Sequence, residues 1–261
     1  MNLSTYARRR QRAGELAARW PFASDVLTFY AALLVVQERA FDESRAHRVA
    51  PEDVASFAAR YVMPRVVEVT AEAAPPPLQQ GALERFATTD LESNCSRWLR
   101  GEHLKIYDRY LARVSTAPVL EALGDAAGEA CVHPAGHRGC PVCGAPPQVA
   151  YVAAGPSAPR RYLQCSRCTA DWPVEIAGCA ACGATEEQRV VYAERAGAND
   201  KARFPHVRVD GCRACGRYLL TVDLVRDRRA IPDVDEIGAV PIDLYAKERG
   251  LRKIVPNAMG F

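Results

Sequence analysis

Residues 140–144 read CPVCG, 165–169 CSRCT, 179–183 CAACG and 212–216 CRACG. Eight of the ten cysteines therefore fall into four CxxC pairs, Cys140/Cys143, Cys165/Cys168, Cys179/Cys182 and Cys212/Cys215, all in the C-terminal half. A CxxC turn aims two sulfurs at one point, so two such turns brought together supply the four soft ligands that tetrahedral zinc or iron prefers. Gly144, Gly183 and Gly216 directly follow three of the pairs, and glycine takes positive φ without a Cβ clash, as a metal-binding knuckle requires. Thr169 departs from that pattern at the second pair. A thioredoxin-type redox CxxC usually occurs once, between a strand and a helix, whereas here the motif recurs four times with hardly any helical pattern after it.

Working outward, the segments between the knuckles alternate as strands do. Gln148 to Ala153, a turn at Gly155-Pro156, and Arg161 to Gln164 predict a short hairpin carrying one knuckle at each end. Arg189 to Ala193 and Val207 to Val209, flanking the polar loop Ala196 to Lys201, predict a second, and Tyr218 to Val225 a further strand. This knuckle–hairpin–knuckle pattern favours sequential pairing, with Cys140, Cys143, Cys165 and Cys168 on one metal and Cys179, Cys182, Cys212 and Cys215 on the other. Interleaved pairing of the middle knuckles is the alternative, because spacing specifies ligands better than connectivity. Units this small bury too little surface to fold alone, so metal–thiolate bonds would supply their folding energy. Four thiolates leave no coordination position for substrate or water, so hydrolysis is not expected at either centre.

The N-terminal half has a different period. Val26, Phe29, Tyr30, Leu33, Leu34, Val36 and Phe41 recur at three- and four-residue intervals and predict a helix from about Ser24, with Ser24 as its cap. Another opens near Pro51 with Glu52 and Asp53 in its first turn, and Pro64 ends it or starts a new one. Further helices are predicted over Leu78 to Phe86, Leu91 to Leu99 capped by Asp90, Leu104 to Val114 and Pro118 to Leu123. Composition changes near Gly124, where Gly124, Gly128, Pro134, Gly136 and Gly139 break the helical period. The expectation is an α+β chain: an all-α helical domain over 1–130, a first zinc-ribbon unit over 131–175, a second over 176–230, and a C-terminal helix and tail over 231–261.

With 261 residues and 49% hydrophobic content the chain can hold more than one domain. Its 34 basic and 31 acidic residues, net +3, are too balanced for an obligate nucleic-acid binder. Arg8, Arg9, Arg10, Arg12 and Arg19 form a basic N-terminal cluster, read here as a solvated arm; a zinc-ribbon nucleic-acid binder is the function class it would support. No apolar stretch of signal or membrane-spanning length follows these arginines, so the expected location is the cytoplasm, with reduced thiols and no membrane partner. His133 and His137 precede the first knuckle and read as loop residues, Cys95 as a small core residue, and Cys131 has no assignment. Scattered Asp and Glu read as solvated helix faces. No Walker loop, nucleophile elbow or zincin helix is present, and no catalytic residue is assigned.

The order of parts adds a resemblance. Trp20-Pro21-Phe22 ahead of Leu27-Thr28-Phe29-Tyr30, then CPVCG, a CxxC followed by Asp171-Trp172, CAACG, CRACGRYL, Pro241-Ile242-Asp243-Leu244 and Pro256-Asn257 resemble the FdhE formate dehydrogenase accessory proteins. The resemblance is most specific from Cys140 to Tyr218 and from Ile242 to Phe261. It implies a cytoplasmic, chaperone-like maturation factor, not an enzyme, which binds the catalytic subunit of formate dehydrogenase before export. It also implies rubredoxin-like knuckles holding iron as two mononuclear tetrathiolate sites on the eight cysteines, where spacing alone admits zinc or iron. A rubredoxin-like electron-transfer protein is a competing reading. Arg138, Arg160, Arg161, Arg167, Arg213 and Arg217 are expected near the centres, offsetting their negative charge. The tail after Gly250, with Ile254, Val255, Met259 and Phe261, is read either as a docking segment or as packed on its own ribbons.

Overall fold

In a computed structural model, residues 4–132, 138–175, 178–194 and 202–260 are described. His133, His137, Phe261 and the loop from Ala196 to Lys201 lie outside them. The helical half opens with α1 (Thr5–Arg19), whose N-cap Ser4 accepts the Ala7 amide. It continues through α2 (Ser24–Ala46), α3 (Val54–Phe57), α4 (Met63–Ala73), α5 (Pro76–Thr88), α6 (Leu91–Leu99) and α7 (Ile106–Leu123). Asp90 caps α6 through the Ser93 amide, as the sequence predicts. Ser24 instead lies within the first turn of α2, which has no side-chain cap. The break expected at Pro64 is a π-helical turn, Ala58–Val62, joining α3 to α4; one extra residue in the turn relaxes the ladder where proline cannot donate. Pro118 is carried inside α7 rather than starting a new helix.

The C-terminal half carries β1 (Pro147–Ala153), β2 (Arg160–Cys165), β3 (Asp171–Val174), β4 (Arg189–Ala193), β5 (Val207–Cys212), β6 (Arg217–Asp223), α8 (Pro232–Gly238), α9 (Val240–Glu248) and β7 (Arg252–Lys253). The two ribbon units share their strands in a common sheet. They join in one seven-stranded sheet of order β3-β2-β1-β6-β5-β4, with β7 on β6. The seam is a parallel pairing of β1 with β6, Ala150 opposite Thr221. Parallel neighbours come from distant parts of a chain, so short-range hairpin signals do not reveal them.

Two readings of charged residues are corrected here. The N-terminal arginines form no solvated arm: Arg9 and Arg12 are buried on α1. Arg12 pairs with Asp227 at 2.8 Å and with Asp235, while Arg9 meets Asp233 at 3.1 Å and Glu121 at 3.2 Å. Nor do all the acids lie on solvated faces. Asp235, Glu236 and Asp243 are fully buried, and Lys253 bridges Glu236 at 2.6 Å and Asp243 at 2.8 Å. Gln148 of β1 links Glu236 to Arg113 of α7, so one polar network ties the helical layer to the tail. Beside it Trp20 and Phe204 pack with ring centroids 4.5 Å apart. Thus α1 and the tail clamp the two halves together, and the tail from Arg252 packs on its own sheet.

Candidate metal centres

Each knuckle carries one left-handed residue, and two backbone hydrogen bonds close the first and third turns, with Cys165 N to Ala170 O at 2.9 Å in the second and Gly216 N to Cys212 O at 2.9 Å in the fourth. In the first, the Gly144 amide donates to Cys140 O at 2.9 Å and the Cys140 amide to Ala145 O at 2.8 Å. The third repeats this with Gly183 to Cys179 O at 2.8 Å and Cys179 to Ala184 O at 2.9 Å. Gly144, Gly183 and Gly216 have φ of 71°, 76° and 64°, and Thr169 adopts 60° at the equivalent place. The departure seen in the sequence is thus a β-branched residue held where glycine is favoured, a strained choice.

The folded chain brings Cys140, Cys143, Cys165 and Cys168 into one cluster and Cys179, Cys182, Cys212 and Cys215 into another, all ligand atoms of each within 4.8 Å. Across the first, Cys140 and Cys168 sulfurs lie 3.6 Å apart and Cys143 and Cys165 3.3 Å. In the second, Cys179–Cys215 and Cys182–Cys212 are both 3.8 Å. A disulfide would require about 2.05 Å; a tetrahedron with metal–sulfur bonds of about 2.3 Å has edges of about 3.8 Å. The donor set and spacing therefore fit a four-thiolate metal ion. The Arg167 amide lies 3.3 Å from Cys165 Sγ, and the Ala184 amide holds the Cys182 thiol below its ordinary range. Both favour thiolate, the ligating form.

The clusters differ in setting. All four cysteines of the first are buried, whereas in the second Cys182 is exposed and only Cys212 buried. Arg167 shields the first: its Nη1 donates to Cys143 O at 3.4 Å and its guanidinium lies over Trp98 of α6. Cys131 is a fifth, buried sulfur there, and the neighbouring Cys143 thiol first, then burial, raise its pKa. Its position in the boundary loop carried no spacing signal. Cys95 is a core residue whose thiol is pushed up to about 12, chiefly by burial. Around the second cluster, Arg161 donates to Gly178 O at 3.3 Å and Arg138 lies against Gly183. His206, Asp227 and Asp235 also converge, but Arg12 already pairs with both carboxylates, making this an ion-pair node.

A helical layer packed on one sheet bearing two four-cysteine clusters defines an α+β protein with two zinc-ribbon-like units. Residues 139–175 match the family model for the FdhE central domain, and residues 177–259 that for the FdhE C-terminal domain. Over these two segments the chain is similar to the FdhE central and C-terminal domains, in that order. An Aquifex aeolicus protein named FdhE homolog is 32% identical over 123 residues, covering 47% of this chain and 41% of that one. The Pseudomonas aeruginosa homolog is 28% identical over 46% of this chain and 38% of its own length. The chain thus spans about two fifths of the curated relatives it matches. The fold extends further: the crystal structure of the Pseudomonas aeruginosa FdhE protein superposes with a TM-score of 0.67 at 21% identity, covering 97% of this chain and 95% of that one.

Proposed function

We propose that this protein is an accessory factor for formate dehydrogenase maturation, binding the catalytic subunit in the cytoplasm before export. The observation that carries the reading is that both four-cysteine clusters lie within the segments matched to the FdhE domains. The eight cysteines are the proposed ligands of two mononuclear centres, iron by family resemblance and zinc as the alternative. Bound metal would supply cross-links between knuckles that the hairpins alone cannot replace. Four sulfurs close each coordination sphere, so the chain shapes a surface and the chemistry belongs to the client. Among the described residues no helix is long and apolar enough to cross a membrane.

Co-purification with a formate dehydrogenase catalytic subunit tests this. Binding is expected to require intact knuckles; a folded Cys140→Ser/Cys143→Ser variant that has lost metal yet binds fully would contradict it. One observation favours a second reading, electron transfer: the exposed Cys182 brings a cluster sulfur to the surface. Redox titration separates the two, because a colourless, zinc-only protein that fully supports maturation leaves no role for an iron couple.

A further inference from the structure

The second cluster sits beside an unbalanced group of charges. Asp210 of β5 is met by Arg189 of β4 at 2.7 Å, Arg208 of β5 at 3.3 Å and Arg161 of β2 at 3.5 Å. Among the described residues no other carboxylate pairs with these three, so the group carries two uncompensated positive charges. The Arg161 and Asp210 side chains are 3% and 4% exposed. Moreover, Nε of Arg161 and of Arg189 are buried without a hydrogen-bond partner. Positive charge so enclosed is costly unless an opposite charge is near.

The sheet register shows where that charge lies. Arg189 faces Cys212 across the β4–β5 ladder. Asp210 and Arg208 precede Cys212 at two-residue intervals on one strand, and so share its sheet face. A cavity of about 20 Å³ is lined by Arg161, Arg189, Asp210 and Cys179 together. That volume holds about one water and excludes a polyatomic anion as the balancing group. Four thiolates around a divalent ion carry net −2 and around a ferric ion −1, the sign and size required.

We propose that Arg161, Arg189 and Arg208 are the fixed counter-charge of the second cysteine cluster, holding an anionic metal–tetrathiolate centre in a position otherwise open to water. Arg161 belongs to the first hairpin, so one unit supplies a positioning residue to the other's centre. The more enclosed first cluster has no such triad among the described residues. This inference rests on the metal reading above but not on the identity of the client.

The test uses the full chain loaded with cobalt(II), whose thiolate charge-transfer bands report each site, in competition with a chelator. Cys182→Ser identifies the signal of the second cluster. Arg189→Gln and Arg208→Gln are each expected to weaken cobalt binding there on the order of tenfold, leaving the first cluster as internal control. Arg189→Lys, which keeps the charge, is expected to restore most of the loss. Equal weakening at both clusters, unchanged affinity at the second, or a lysine variant as weak as the glutamine one would overturn the proposal. Wild-type protein binding fewer than two cobalt ions would instead sink the metal reading, and this inference with it.

Discussion

Thr169 shows how a single backbone angle is set by chemistry elsewhere. Its φ of 60° is imposed by the knuckle, as at Gly144, Gly183 and Gly216, and a non-glycine residue in that region costs about 1–2 kcal/mol. Thr169→Gly is therefore expected to stabilise the protein by about 1 kcal/mol after the entropic cost of glycine, read as a higher denaturation midpoint. Gly216→Ala is its mirror. No atom lies within 4 Å of the added Cβ, so the loss of about 1 kcal/mol would be purely conformational; equal stability to wild type would contradict it. Lys253 raises a different issue at this scale. Burial alone would lower its pKa, but Glu236 and Asp243 reverse that and raise it. Its contribution to stability is thus fully present below the ordinary lysine range, about 10.4, and is lost only as pH climbs through its raised folded value. Lys253→Met leaves two buried carboxylates without a cation, held by Gln148 and Tyr218, and is expected to cost about 3 kcal/mol at neutral pH in denaturant melts, with the difference narrowing in strong alkali. The sequence displayed the cysteines and glycines openly because their spacing is local. It hid Lys253, Glu236 and Asp243 because burial of a charge depends on partners that spacing does not reveal.

Among the elements, α1 carries the largest lesson. Its arginines read as solvated because their partners, Asp227, Asp233 and Asp235, lie more than two hundred residues away in sequence. Helix periodicity was legible in α2, α6 and α7, where apolar residues face a local core. In α1 the inward face is partly arginine, and a hydrophobic pattern misses it. Arg12→Ala is expected to take from the buried Asp235 its guanidinium partner, leaving His206 at 2.8 Å and the Ile231 amide at 2.7 Å, costing about 3 kcal/mol, and to speed amide exchange across Thr5–Arg19 while leaving β1 and β2 protected. Unchanged exchange in α1 would mean that its docking does not depend on this pair. β1, β2, β4, β5 and β6 were legible by alternation, whereas β3 and β7 were not, since four and two residues carry too little period.

For the molecule as a whole, the hairpins predicted two tandem ribbons and the structure shows them fused through β1 and β6. Fusion has a mechanical consequence, because loss of one centre loosens a sheet edge that the other still holds. Chelation is therefore expected to remove metal first from the cluster with the exposed Cys182 and later from the enclosed one. Two kinetic phases of metal release are predicted, the slower coinciding with loss of the sheet's circular-dichroism signal. A single phase would contradict the inequivalence. In the function proposed above, the helical layer, the shared sheet and the two four-cysteine clusters, once loaded with metal, form the frame that binds a client. Native mass spectrometry of this chain mixed with a formate dehydrogenase catalytic subunit tests that claim most directly, since metal count and complex appear in one mass. The account predicts a complex in which each copy of this chain carries two metal ions; a metal-free chain that binds equally well, or a fully loaded chain that binds nothing, would contradict it.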